Sequence, residues 1–304
     1  MGAPKFSRRR IVVFEVDSVH KSEWIHQVSE APIKAMTKLR TKILGKFQGL
    51  RRLFTWMLAI SNWPTVWKYQ RDKGKLPPIR LRNGVVLNHG KFDSPLLLLD
   101  EVFLNRWYQI AERPPANAFM LDVGANIGAV TLFWVNRSPT LQVHCYEPNP
   151  AAFSTLGRNI GENGLQKRVR AFSEGMGRSA GTLRLWVDVP TDLSTGYQEE
   201  SPAEGGRRVE VPVVGIDEAW KRLDRQPIWL LKIDTEGAEA DILEGASRAF
   251  IGAVRNAIVE YHDNIVPGSL ARCQKILEEA GFECRTLHHP WREGIIYASR
   301  PTPN

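Results

Sequence analysis

An alternation that begins at Phe119 limits what this chain can fold into more than any other feature. Five short apolar runs, FMLDV, LQVHCYE, VRAFS, WLLKID and NAIVEY, are separated or followed by helical patterns at 127–135, 151–163, 216–223, 239–250 and 270–280. Strands this uniformly apolar have no wet face, so the pattern predicts a parallel α/β sheet covered by helices on both sides. Two later runs, FECRTLHH and GIIYASR, flank a turn near 290–293 and predict a terminal antiparallel pair. Between the third and fourth strands, GTLRLWVDV and RRVEVPVV are extended runs joined by a polar loop rich in Ser, Glu and Gly.

The connection after the first strand carries the first chemical signal. LDVGANIGAVTL runs from a strand through a turn with Gly124, Asn126 and Gly128 directly into a helix, the geometry that lets a nucleotide approach the backbone in Rossmann-like folds. Asn126 stands where a middle glycine is common, and Asn is the residue after glycine that best tolerates left-handed angles. Glu147 closes the second strand, 23 residues beyond Gly124. A carboxylate at that place can accept both hydrogen bonds of a ribose diol. These glycines do not follow GxGxxG and no GK[ST] phosphate loop is present, which argues against a dinucleotide dehydrogenase or a P-loop enzyme.

LLKIDTEGAEADILEGA places Lys232, Asp234, Glu236 and Glu239 around the end of the fourth strand, and VEYHD places Glu260 and His262 at the end of the fifth. In open α/β sheets, ligands bind outside the carboxyl ends of the strands, so these charges are expected at a cleft.

DVGANIG, then YEPNP with a helix carrying Asn159 and Asn163, then KIDTEGAEADILEGA, then VEYHD occur in this order between about residues 88 and 299. Together they resemble the FkbM family of methyltransferases. The resemblance implies a seven-stranded Rossmann-like sheet, mostly parallel with its last strand antiparallel, and S-adenosylmethionine as donor. The acceptor it implies is a hydroxyl on a sugar, glycolipid or polyketide-like metabolite, with no nucleic acid partner. Asp122, Gly124, Asn126, Gly128, Glu147 and Asp234 are then the expected cofactor residues, Asp122 serving the amino group directly or through a water. Glu174 replaces a small residue common in the family and is expected at the adenine edge.

For the transfer itself, Asp234, Glu236, His262, Lys232 and Glu260 are the candidate catalytic group. Asp234 is expected to orient substrate or cofactor, and either His262 or Glu236 to take the hydroxyl proton. Glu239, at a helix start, is either part of this group or a structural acid stabilised by the helix dipole. Asp234, Glu236 and Glu260 could together hold magnesium, since oxygen ligands suit it, but their spacing does not demand it and no metal is expected. A nicotinamide oxidoreductase and a catalytically silent membrane-associated binding module are the two rival readings. The acceptor pocket is expected from the N-terminal extension and the 181–214 insertion, where Trp186, Tyr197 and Arg207 could engage a glycan.

The formal charge of +8 is concentrated in one arm: residues 31–71 hold nine Lys or Arg and no Asp or Glu. Apolar positions there recur every three or four residues from Ile33 to Phe54, predicting a basic amphipathic helix. Its most apolar stretch, LFTWMLAI, is eight residues long against the roughly 18 needed to cross a bilayer. Packing on the body with a solvated basic face is the more frequent arrangement for such a helix, and peripheral contact with an anionic membrane is the alternative. The sequence suggests a basic helical extension over 1–75 and a catalytic domain over 76–304, with a hairpin at Asn83-Gly84 and a helix at 94–108 ahead of the core from 114. Acidic Glu15 and Asp17 interrupt the first apolar stretch, and Phe6 stands where a myristoylation signal needs Ser or Thr. Cys145, Cys273 and Cys284 lack any paired spacing. A cytoplasmic protein, peripheral at the inner face of a membrane, is expected.

Overall fold

The computed structural model describes residues 51–72, 76–91, 93–189, 205–289 and 293–301. The chain divides into two compact units, Met1–Arg51 and Arg52–Asn304, and every described residue except Arg51 belongs to the second. Most of the expected basic helix, 33–50, and Tyr197 lie outside the described residues.

Residues 51–59 are helical, as α1, followed by α2 at Trp63–Asp72. Trp56 and Ile60 of this segment and Val66 of α2 are buried in the same cluster as Ile79, Leu87 and Phe133, so the core reaches upstream of Leu76. Two short strands, β1 at Ile79–Arg80 and β2 at Val86–Leu87, pair antiparallel. Their connection is one residue longer than a turn of Asn83-Gly84 alone: Leu81 N–H bonds Val85 O, and of the loop residues only Gly84 takes a positive φ, of 92°. That is a three-residue loop with glycine at its left-handed place, not a two-residue turn with both residues left-handed. The helix expected at 94–108 is shorter, with α3 at Pro95–Leu98 running into a π-helical turn at Leu99–Leu104.

The body follows the expected alternation. Strand β3 (Phe119–Val123), helix α4 (Ala129–Val135), β4 (Gln142–Tyr146), α5 (Pro150–Glu162) and β5 (Val169–Phe172) come first. Strands β6 (Gly175–Gly177), β7 (Gly181–Val187) and β8 (Arg207–Gly215) then build a separate three-stranded sheet. The chain returns with α6 (Ile216–Lys221), β9 (Ile228–Ile233), α7 (Glu239–Gly245), α8 (Arg248–Ala253) and β10 (Val254–His262). Helix α9 (Ser269–Glu279) and strands β11 (Glu283–His288) and β12 (Glu293–Ser299) complete it. One helix expected over 239–250 is two, because Ser247 opens a new one, its hydroxyl accepting the Phe250 N–H at 3.1 Å.

The main sheet has seven strands in the order β11-β12-β10-β9-β3-β4-β5. β10, β9, β3, β4 and β5 are parallel, and β12 runs antiparallel to both β10 and β11. All six residues of β9 are buried, which explains its unbroken apolar sequence: helices cover both faces. The order reverses between β3 and β9, so the crevice for a ligand is expected outside their carboxyl ends.

At that point Gly124 has φ of 72°, and a Cβ there would stand 1.6 Å from the Asp234 carbonyl oxygen. Backbone from β3 and β9 thus converges with no room for any side chain. Gly84 is the useful contrast, since a Cβ there meets nothing within 4 Å. Gly84→Ala should cost about 1–2 kcal/mol, the left-handed angle alone, and Gly124→Ala more than about 3 kcal/mol. Urea unfolding of both variants checks the ordering; equal losses would contradict it.

Candidate active site

The turn after β3 is held from two sides. From β4, the Tyr146 carbonyl accepts the N–H groups of Gly124 and Ala125 at 2.9 and 3.0 Å. From β9, Lys232 Nζ donates to the Gly124 carbonyl at 2.5 Å and lies 3.4 Å from that of Val123. Lys232 is the register partner of Asp122, so their side chains share a face, and Nζ stands 3.3 Å from Asp122 Oδ1 with both side chains buried. Asp122 Oδ2 accepts the Thr131 hydroxyl at 2.6 Å. Burial works against the Lys232 charge, but Asp122, Asp234 and Glu260 outweigh it and hold the ammonium above its usual pKa. Lys232 and Asp122 therefore sit beneath the turn as its foundation, and neither lines the cleft described next.

Above them opens a cavity of about 480 Å³, lined by Gly124, Asn126 and Glu147 on one side and by Asp234, Thr235 and Glu236 on another. Glu147 is buried and aimed by backbone: Oε2 accepts the Asn126 N–H and Oε1 the Asn149 N–H, both at 2.7 Å. Asn126 adopts φ of 51°, the left-handed angle anticipated for it, and its side chain accepts the Ile127 N–H at 2.8 Å. Asn149 caps α5 by accepting the Ala151 N–H. Gly128, also left-handed, opens α4. Each carboxylate oxygen of Glu147 keeps a lone pair for a ligand hydroxyl. Burial raises the Glu147 pKa to about 7, against the pull of the two N–H groups.

At the far end of the cavity, Asp234 Oδ2 lies 3.4 Å from Lys232 Nζ. Glu236, in a left-handed conformation, lies 3.4 Å from His262 Nε2. Behind them the other nitrogen of His262, Nδ1, is 3.0 Å from Glu239 Oε1. Asp234, Glu236 and His262 bring ligand atoms within 4.8 Å of one another, and Lys232 faces Asp234 from the other side. Glu260 accepts the Tyr108 hydroxyl; burial and then Asp234 raise its pKa to about 8. Neither Glu260 nor His262 lines the cavity.

Glu174 stands apart. Both its oxygens accept from Arg222, at 2.6 and 3.3 Å, and it is absent from the cavity lining. Arg207 pairs with Asp188, and Arg208 lies over the Trp186 ring. Two features escaped the sequence reading. Arg178 in the β6–β7 turn lines the cavity and is clasped to Glu244 of α7, which with Asp241 also binds Arg272 of α9. Glu101, on the π-helical turn, has its pKa raised to about 7 by burial and then by Asp234 and Glu293. No linear motif links either to the site.

A buried ion pair tolerates the loss of one member poorly, because the survivor keeps its desolvation penalty. Lys232→Met should cost about 3–5 kcal/mol in urea unfolding, and adding Asp122→Leu should recover part of that loss. Additive losses would show that the two side chains are not coupled.

The sequence profile described as the methyltransferase FkbM domain matches residues 122–284. Methyltransferase sdnD from Sordaria araneosa is 30% identical over 218 residues, 63% of this chain and 83% of that protein. The 31-O-demethyl-FK506 methyltransferase FkbM from Streptomyces tacrolimicus is 27% identical over 234 residues, 67% of this chain and 88% of its own length. Hexuronic acid methyltransferase AglP from Haloferax volcanii is 25% identical, covering 66% of this chain and 87% of that protein.

Proposed function

This chain belongs to the FkbM family of methyltransferases, and we propose that it carries a methyl group from S-adenosylmethionine to a hydroxyl oxygen of a sugar, glycolipid or polyketide-like small molecule. The observation that supports this most is Glu147, a buried carboxylate aimed by two backbone N–H groups into the cavity that also holds Asp234 and Glu236. When bound, S-adenosylmethionine supplies a methyl group on a positively charged sulfur that leaves as a neutral thioether. Its ribose hydroxyls would bond Glu147, and the Gly124 to Gly128 turn would admit its nucleoside close to the backbone. A hydroxyl acceptor is favoured by the Streptomyces relative, a 31-O-demethyl-FK506 methyltransferase, and a sugar acceptor by the Haloferax one, a hexuronic acid methyltransferase.

The acceptor hydroxyl must lose its proton as the O–CH3 bond forms. Of the two groups considered for this, Glu236 lines the cavity and His262 does not, so Glu236 is assigned the proton. Burial drives the Glu236 pKa well above the ordinary carboxylate range, while His262 pulls it back. Asp234 is assigned to orient acceptor and donor, since alignment supplies much of the rate enhancement in a displacement of this kind.

Because Glu147 ionises only as pH passes about 7, and its ionised form is the better acceptor for ribose hydroxyls, S-adenosylmethionine should bind more tightly at pH 8 than at pH 6. Calorimetry should also show Glu147→Gln weakening binding tenfold or more. No detectable heat with the native chain would favour the silent module. Incubating cell-extract fractions with methyl-labelled donor would then identify the acceptor.

The basic arm is assigned to peripheral contact with the inner, anionic face of a membrane, with the enzyme itself cytoplasmic. No helix among the described residues is long and apolar enough to cross a bilayer. Since Trp56, Ile60 and Val66 are core residues, deleting the arm through residue 71 would damage the body. Replacing Lys34, Lys38, Arg40, Lys42 and Lys46 by Gln is the cleaner test. Cosedimentation with anionic vesicles should drop in this variant and in high salt; unchanged sedimentation would remove the assignment.

A further inference from the structure

The proton-accepting role given to Glu236 needs an ionised carboxylate facing the cavity, yet its surroundings are rich in acid. Asp234 precedes it by two residues, and Glu239 follows three residues on. Lys232 stands within ion-pair distance of Asp234, and His262 of both Glu236 and Glu239.

His262 ends β10 and is buried. Its ring lies between two carboxylates, with Nδ1 at 3.0 Å from Glu239 Oε1 and Nε2 at 3.4 Å from Glu236 Oε2. A neutral imidazole would turn a lone pair toward one of them, whereas an imidazolium offers each an N–H. Glu239 is fully buried and tied to the loop that carries Glu236. Its Oε1 accepts the N–H groups of Thr235 and Gly237 at 3.1 and 2.9 Å, and its Oε2 lies 3.4 Å from the Ser269 hydroxyl of α9.

We infer that His262 is a fixed imidazolium and not the proton acceptor, and that Glu239 and His262 together are a positioning pair that keeps Glu236 ionised and turned to the cavity. This rests on the assignment of the proton to Glu236. The same contacts give the half-and-half reading of Glu239 a resolution: it is buried at a helix start, but its charge is spent on the imidazole ring. Burial works to raise its pKa, and the hydrogen bonds from His262 and Gly237 outweigh that and hold it below the usual range. Burial works to neutralise His262, and Glu239, Glu236 and Asp234 outweigh it. The other titratable neighbours are Glu260 on β10, which interacts with the ring, and Glu293, its partner across β12. Both are acidic side chains. Ser269 is the contact from α9, through Glu239.

The test is nitrogen NMR on the full chain labelled at its seven histidines, with the His262 signals identified by their loss in His262→Gln. Both ring nitrogens should be protonated through neutral pH in the native chain. In Glu239→Gln, which keeps an oxygen for the Thr235 and Gly237 N–H groups, the ring should release its proton at least one pH unit lower. In His262→Gln, carboxyl infrared difference spectra against Glu236→Gln should show Glu236 protonating at least one pH unit higher. A singly protonated His262 ring in the native chain at neutral pH overturns the inference, even if no variant folds. So does an unmoved Glu236 midpoint in His262→Gln, or a His262 ring that shifts to a metal-bound signal when magnesium or zinc is added. Calorimetry with S-adenosylmethionine on the same native sample tests the donor separately: a doubly protonated ring in a chain that binds no donor would sink the proposed function alone.

Discussion

The cleft depends on one carboxylate held by backbone. Glu147 meets the N–H of Asn126 from the turn after β3 and the N–H of Asn149 from the cap of α5, so a single side chain ties together the two segments that form one end of the cavity. A buried carboxylate without such donors would lose its reason to ionise. With them, it is fixed in direction and keeps lone pairs for a ligand. The turn can present Asn126 this way because Gly124 lets the β3 backbone come against Asp234, and because Lys232 reaches from β9 to the Gly124 carbonyl.

Those contacts make the two ends of the site one structure. Lys232 touches Asp122 below the turn and Asp234 at the cavity wall. A motif on β3 and a motif on β9, separated in sequence by a hundred residues or so, thus share one ammonium group. Charge is arranged in layers: a buried lysine under the turn, carboxylates at the wall, and an imidazole behind them that faces Glu236 and Glu239. Both ends of the cavity are set by strand ends at the point where the strand order reverses.

Much of this was legible in the residues. The apolar runs predicted the parallel strands because β9 and its neighbours are buried on both faces, and the left-handed Asn126 followed from what Asn alone among larger residues tolerates cheaply. The FkbM resemblance was carried by motifs that the family profile also covers. What sequence could not give was distance between segments. Lys232 reads as a cation beside Asp234, and only the register with Asp122 shows that the same ammonium also lies under the turn. Nothing near Glu174 in sequence announces that Arg222, 48 residues on, donates to both its oxygens. Tyr108 and Glu101 come to the acid cluster from the N-terminal segment, through contacts that no local periodicity encodes. The break between α7 and α8 rests on a serine cap inside a run that otherwise reads as one helix.

The most direct test of the central claim is a crystal structure of the chain with S-adenosylhomocysteine. The account predicts the two ribose hydroxyls within hydrogen-bonding distance of Glu147, one on each oxygen, with the sulfur directed toward Asp234 and Glu236. A nucleoside seated elsewhere, with Glu147 touched only by Asn126 and Asn149, would contradict it.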